Sequence, residues 1–130
     1  MKFLVSLHAL FKKNRKQSNF VVKKTFILVK SVTVKQTINI ALQILPSCTA
    51  KHPYSVVDEA IRVIADSGLK YKVTPFETVI EGEYDDVMRV VKQAQEVCYE
   101  VGAESLMTYV KIQSAKITDV SIEDKMEKYE

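Results

Sequence analysis

The segment from Tyr71 to Glu83 (YKVTPFETVIEGE) constrains the fold more than any other part of this chain. It predicts two strands joined at Thr74-Pro75, because residues typical of strands flank a proline that interrupts strand hydrogen bonding. A helix precedes this hairpin and ends at Gly68, and a second helix follows from about Asp85. The hairpin is therefore the centre of a strand–helix–strand–strand–helix–strand order.

The first half of this plan begins at residue 38. Four aliphatic residues alternate with other residues at a period of two, which predicts a strand: Ile38, Ile40, Leu42 and Ile44. We expect Pro46 to end this strand. Pro53 is typical of a first helical turn, and Ser55 with Asp58 resembles a capping box. Gly68 then provides the left-handed residue that ends many helices.

The second half repeats the plan. We expect a strand from Phe76 to Glu81, a short connection over residues 82–84, and a final strand from Leu106 to Ile112. Gly102 ends the second helix as Gly68 ends the first. The helix itself is predicted by a stripe at helical spacing: Val87, Val90, Val91, Ala94, Val97, Cys98 and Val101. Ser121 caps a short C-terminal helix within SIEDKMEKYE.

The fold class predicted by this doubled unit is α+β, a ferredoxin-like split βαβ sandwich (βαββαβ). Two helices cover one face of a four-stranded antiparallel sheet, and the opposite face should be polar if the protein is a monomer. Four apolar residues are expected on that open face: Ala41, Leu45, Met107 and Tyr109. We therefore expect the open face to pack on a second copy of the chain in a closed homo-oligomer.

Charge divides the chain into two parts. Residues 1–37 carry nine basic and no acidic residues, whereas residues 38–130 carry ten basic and sixteen acidic residues, a net charge of −6. We interpret 1–37 as a basic N-terminal extension, disordered or resulting from an over-long start assignment, and 38–130 as the ligand-binding domain. The acidic domain argues against nucleic-acid binding, which needs a basic face. No apolar stretch is long enough to span a bilayer, and we expect a cytoplasmic protein without a membrane partner.

The search for catalytic or metal-binding residues is mostly negative. His52 is the single histidine of residues 38–130, and no Ser-His-Asp or Cys-His-Asn set is apparent around it. Cys48 lies four residues before His52, but a loop cysteine beside a loop histidine is usually inert. Cys48 and Cys98 form no CxxC pair and are expected to be reduced thiols. The chain has no glycine-rich phosphate-binding motif. We expect no enzyme activity, no cofactor and no metal.

Polar residues on or beside the sheet favour a bound small molecule. Neutral hydrogen-bonding groups with a few aromatic residues suit a small heteroaromatic ligand. Tyr71 and Tyr109 could stack on its ring, whereas Phe76 is expected to pack in the core. Glu77 and Glu81 share one face of the third strand. They are either contacts for an aminopyrimidine or solvated edge charges.

Three sequence pieces carry a family resemblance: INIALQILPS, VVDEAIRVIADSGLKYKVTPFETVIEGEYDDVMRVVKQAQE and GAESLMTYVKI, which together cover nearly all of residues 38–114. Their order, spacing and two glycine stops resemble the small thiamine-binding (YkoF-like) family of ferredoxin-like proteins. The resemblance implies a cytosolic homo-oligomer, often a dimer of dimers, which binds thiamine or its hydroxymethylpyrimidine moiety at a subunit interface. It implies no established catalytic residues.

Carried over by position, the resemblance implies a ligand pocket with five polar residues: Gln43, Ser47, Thr74, Thr78 and Glu81. Glu81 would contact the amino group or the positively charged ring of the ligand. The other four would orient it through hydrogen bonds.

Two alternative functions would use the same ferredoxin-like fold. An acylphosphatase-like hydrolase needs an arginine in the loop after the first strand, but that loop, SCTAKH, contains Lys51 and no arginine. An RNA-binding module needs aromatic residues on its central strands and a basic surface. The predicted third strand instead has Thr78, Val79 and Ile80 at its centre.

Overall fold

Residues 35–129 are described by this computed structural model, and they form four strands and three helices. The strands are β1 (Thr37–Ser47), β2 (Lys70–Val73), β3 (Thr78–Glu83) and β4 (Ser105–Gln113). The helices are α1 (Pro53–Asp66), α2 (Tyr84–Glu100) and α3 (Ile122–Met126). The predicted βαββαβ order with a short C-terminal helix is confirmed. Most of the basic extension lies outside the described residues, so the interpretation of 1–37 stays a prediction.

The four strands form one antiparallel sheet in the order β2-β3-β1-β4. β1 and β3 are therefore central, and Ile40 of β1 lies opposite Ile80 of β3 and Ile112 of β4. This order is the one expected for a ferredoxin-like sandwich.

The core lies between the sheet and helices α1 and α2. The alternating aliphatic residues of β1 are all buried, as is Ile80 of β3. The helices cover them with apolar stripes: Val56, Ala60 and Ile64 from α1, and Val87, Val90, Val91, Ala94 and Cys98 from α2. Burial raises the pKa of the Cys98 thiol, whose Sγ lies 3.1 Å from the Ala94 carbonyl oxygen. Cys98 is therefore part of the hydrophobic core.

Both predicted glycine stops are confirmed. Gly68 has a φ of 74° and Gly102 has a φ of 114°, and both values lie where side chains with a Cβ are strained. Each glycine turns the chain from the end of a helix towards the strand that follows.

The prediction that Pro46 ends β1 is wrong. Pro46 lies within β1, opposite Leu106 of β4. The pairing with β3 stops at Leu42, so β1 has β4 as its one neighbour beyond that point. A proline is tolerated there, because the side of the strand from which an N–H is missing faces no other strand formed by residues 35–129.

Three local predictions at element ends were also wrong. β3 runs on to Glu83 and α2 starts at the next residue, so residues 82–84 are not a separate connection. The cap of α1 is His52 and not Ser55, because His52 Nδ1 accepts a hydrogen bond from the Tyr54 amide at 3.3 Å. Phe76 is 81% exposed at the tip of the hairpin and does not pack in the core.

The C-terminal segment crosses the open face of the sheet, which the sequence had suggested was bare. The Val120 amide donates to the Thr37 carbonyl, and α3 follows with Ser121 as its cap. Ser121 Oγ accepts a hydrogen bond from the Asp124 amide at 3.0 Å. One end of the open face is thus covered by this chain itself. None of the helices within residues 35–129 is long and apolar enough to cross a membrane.

Candidate functional site

The open face presents side chains in rows that run across the strands. In an antiparallel sheet, residues directly opposite each other point to the same side. The middle row consists of Lys72 on β2, Val79 on β3, Ala41 on β1 and Lys111 on β4. Its two central residues are apolar and its two edge residues are lysines. This row makes a flat apolar floor bordered by an ammonium group on each side.

The row next to this floor anchors the C-terminal segment through Asn39. The Asn39 side chain is 4% exposed, and its Nδ2 donates to the Val120 carbonyl at 2.8 Å. Its Oδ1 accepts from Lys125 Nζ of α3 at 2.7 Å. Because a buried amide without partners is costly, these contacts hold the segment over the sheet.

Glu81 lies in the same row as Asn39 and is directly opposite it. One Glu81 carboxylate oxygen accepts a hydrogen bond from the Ile122 amide, at the start of α3. The other lies 3.9 Å from Lys70 Nζ. With a side chain only 14% exposed, Glu81 connects β2, β3 and α3.

Thr74 and Glu77 form the turn of the β2–β3 hairpin at the other side of the floor. The Thr74 hydroxyl donates to the Glu77 carbonyl at 2.6 Å, and the Thr74 amide donates to the same oxygen at 3.0 Å. The Glu77 carboxylate reaches back across the face to Lys111 Nζ at 2.7 Å. The turn and the edge strand β4 are thereby linked.

A pocket of about 380 Å³ lies between the floor and α3. Ala41 and Val79 form its base, while Ile122 and Met126 of α3 form its cover. Its polar lining is Asn39, Lys72, Thr74, Lys111, Gln113 and Lys125. An apolar concavity of this size with a few polar groups at its rim is typical of small-molecule sites.

The structure separates the five residues that the resemblance implied. Thr74 lines the pocket, and Glu81 lies beside it and holds α3. Gln43 is on the same face, two residues along β1 from Ala41 and opposite Tyr109. Ser47 is on this face too, but at the far end of β1 opposite Ser105. Thr78 is 6% exposed and faces the helices, because it lies opposite the core residue Leu42.

Sequence reasoning missed Asn39 and the three lysines of the pocket as site residues. Asn39 carried a signal in the sequence, since it is a polar residue between the isoleucines Ile38 and Ile40 of an apolar strand. Lys72 and Lys111 carried no local signal. They lie in the same row only because of the register of the strand pairs. The alternation of apolar and polar residues along each strand does not determine that register.

The other groups considered for chemistry have structural roles. His52 caps α1, and its ring lies 5.2 Å from that of Tyr54. Cys48 packs against the core. Asp85 and Asp86 occupy the first turn of α2, where the helix dipole favours acids. Within residues 35–129, no group of three or more His, Cys, Asp or Glu side chains is arranged to hold a metal ion.

Known proteins are similar to this chain both in sequence and in fold. Residues 40–130 match a family described as thiamine-binding protein. A UPF0045 protein of Clostridium perfringens is 43% identical over 93 residues, which are 72% of this chain and 97% of that protein.

Two solved structures extend the comparison. A domain of unknown function (DUF77) from Bacillus cereus has a TM-score of 0.71 and 41% identity, over 73% of this chain and 91% of the other. A Thermotoga maritima protein with a proposed role in thiamine biosynthesis or salvage has a TM-score of 0.66 and 26% identity, over 72% of this chain and 99% of the other. The family match begins within β1 and runs through the rest of the sandwich and α3. The resemblance inferred from the hairpin and the glycine stops is confirmed. This chain therefore belongs to the thiamine-binding protein family.

Proposed function

We propose that this protein binds thiamine or its hydroxymethylpyrimidine moiety without catalysing a reaction. The bound ring lies in the pocket between the middle row of the open face and α3. The observation that carries this proposal is the lining of the pocket: a base of Ala41 and Val79, a cover that includes Met126, and polar side chains around them. A planar aromatic ring buries its faces against apolar atoms while its edge atoms meet hydrogen-bonding groups.

The five polar residues carried over from the family take different places in this proposal. Thr74 forms a wall of the pocket, and Gln43 provides an amide at its open end. Glu81 acts on the ligand through α3, whose first amide it holds. Ser47 and Thr78 have no direct contact with the ring in this arrangement, because one lies at the strand end and the other faces the helices.

A second copy of the chain completes the proposed site. Beyond α3, the open face presents Leu45, Met107 and Tyr109, which are 47%, 57% and 50% exposed. The Tyr109 hydroxyl lies 2.9 Å from Met107 Sδ, so the two side chains form one patch next to Gln43. Contiguous apolar surface beside a pocket favours burial against another subunit. We propose a dimer, and a dimer of dimers, in which this patch is buried.

The two alternatives have less support. An RNA-binding module would present aromatic rings on β1 and β3, yet those strands present Ala41, Gln43 and Val79 to the open face. An acylphosphatase-like hydrolase would hold a phosphate in the loop after β1. His52 in that loop caps a helix, and Thr49 in the loop contacts Glu104.

Isothermal titration calorimetry with thiamine and with hydroxymethylpyrimidine tests this function. The wild-type protein is expected to bind at least one of them with one site per chain. Ala41→Phe places a ring on the pocket floor and is expected to abolish binding. Ala65→Phe makes the same change at an exposed position of α1 and is expected to bind like the wild type.

The proposal is overturned if neither compound binds the wild-type protein. It is also overturned if Ala41→Phe binds as tightly as Ala65→Phe. Thermal unfolding of both variants provides the check that each is folded.

A further inference from the structure

The ionisable residues among the described lining of the pocket are all lysines. Three of the residues that line it are lysines, Lys72, Lys111 and Lys125, and none of the described lining residues is Asp or Glu. This is unexpected for a pocket that takes thiamine, because the thiazolium ring of thiamine is itself a cation. Like charges in a partly desolvated site repel each other more strongly than in water.

The lysines surround the apolar floor on three sides. Lys72 and Lys111 end the middle row at opposite edges of the sheet, with Val79 and Ala41 between them. Lys125 reaches down from α3, where its ammonium group contacts the neutral oxygen of Asn39. A ring that lies on the floor therefore has lysine side chains on three sides, which could meet an anionic substituent that extends in those directions.

Among the described residues, the carboxylates beside the pocket contact lysines from outside its lining. Glu123 of α3 lies 3.5 Å from Lys70 Nζ. Glu81 is held by the Ile122 amide and faces Lys70, which is not among the residues that line the pocket. Glu77 pairs with Lys111 at 2.7 Å from outside the pocket lining, and its side chain is 26% exposed. A phosphate group on the ligand would compete with Glu77 for Lys111, and it would form charge-assisted hydrogen bonds with the lysines.

We propose that this site selects the phosphate ester of its pyrimidine ligand over the free alcohol, and a phosphorylated thiamine over thiamine itself. This inference depends on the proposed function, because it names the charge state of the ligand for the same pocket. The aminopyrimidine ring occupies the floor, and the phosphate lies at the rim between the lysine side chains. The selection is a matter of binding alone and includes no bond-breaking step.

Calorimetric titrations with four compounds test this selection: hydroxymethylpyrimidine, its phosphate ester, thiamine and thiamine monophosphate. Charge-assisted hydrogen bonds to a phosphate predict that each ester binds the wild-type protein about tenfold more tightly, or more, than its alcohol. The preference should shrink as the salt concentration rises, because salt screens exposed charges.

Lysine variants locate the effect. Lys72→Gln and Lys111→Gln are each expected to reduce the ratio of ester affinity to alcohol affinity several-fold. Lys72→Arg retains the charge and should retain most of the preference. Lys92→Gln removes a lysine of α2 that pairs with Glu96, and it serves as the matched control with wild-type selectivity.

The outcomes separate this inference from the function on which it depends. If the alcohols bind, Ala41→Phe abolishes that binding, and the esters bind no more tightly, then the phosphate selection is wrong and the proposed function stands. If none of the four compounds binds, both are wrong. An ester preference that survives unchanged in both Lys72→Gln and Lys111→Gln also overturns the assignment to this rim.

Discussion

At the scale of single residues, Asn39 is the main link between the sheet and the C-terminal segment. It is a buried polar residue in a central strand, and each end of its amide contacts that segment. A polar side chain in this position is stable only because its hydrogen bonds are made. The pocket cover therefore depends in part on this side chain of β1.

Asn39→Ala is expected to lower the free energy of unfolding by about 2 kcal/mol, since it leaves the Val120 carbonyl without its partner. Urea denaturation followed by circular dichroism measures the change. Gln113→Ala alters an exposed amide in the same row of the sheet and is expected to change stability by less than about 0.5 kcal/mol. Equal effects of the two substitutions would contradict the role given to Asn39.

At the scale of elements, α3 is too short to be stable alone. It has five residues and none of them is buried, whereas isolated helices shorter than about 12 residues are marginal in water. Its position thus depends on contacts with the sheet, chiefly the Glu81 carboxylate at the Ile122 amide and Asn39 at Lys125. Such an element opens more readily than the core helices.

Glu81→Ala is expected to increase the hydrogen-exchange rate of the Ile122 amide about tenfold or more, because a hydrogen bond to a charged acceptor is lost. Amides within α2 should exchange as in the wild type. Glu77→Ala is the control, since it removes a carboxylate of the same face that contacts Lys111 instead. Exchange at α3 that is unaffected by Glu81→Ala would show that other contacts hold the helix.

The sequence predicted the elements of this fold because each has a strong local signal. The period of two in β1, the helical stripes of α1 and α2, and the glycines Gly68 and Gly102 all follow from backbone geometry. Pro46 misled the prediction, because whether a strand tolerates proline depends on its neighbours. Phe76 misled it as well, because hydrophobicity alone does not distinguish a hairpin tip from a core position.

The site was less predictable than the fold. Ala41 and Val79 were expected on the sheet, but the row that joins them to Lys72 and Lys111 depends on the register of three strand pairs. The path of residues 114–121 has no periodicity, so the position of α3 over the open face carried no sequence signal. Only Thr74 of the five residues carried over by position lines the pocket.

At the scale of the whole molecule, we propose that the part of the open face beyond α3 is the contact between copies of the chain. Leu45, Met107 and Tyr109 are about half exposed on it. Sedimentation equilibrium at micromolar concentration is expected to give two or four times the chain mass of 14.8 kDa. Met107→Glu should shift the protein towards the monomer, because a charge buried in an apolar contact is costly. A monomeric wild-type protein would contradict the proposed interface.

We propose that a flat heteroaromatic ring binds between the sheet and α3. A crystal structure of the protein grown with hydroxymethylpyrimidine tests it most directly. We expect the ring to lie on Ala41 and Val79, with Met126 above it and Thr74 at its edge. A ring bound elsewhere, for example in the polar groove between α1 and α2 near Arg89 and Gln93, would contradict this binding site.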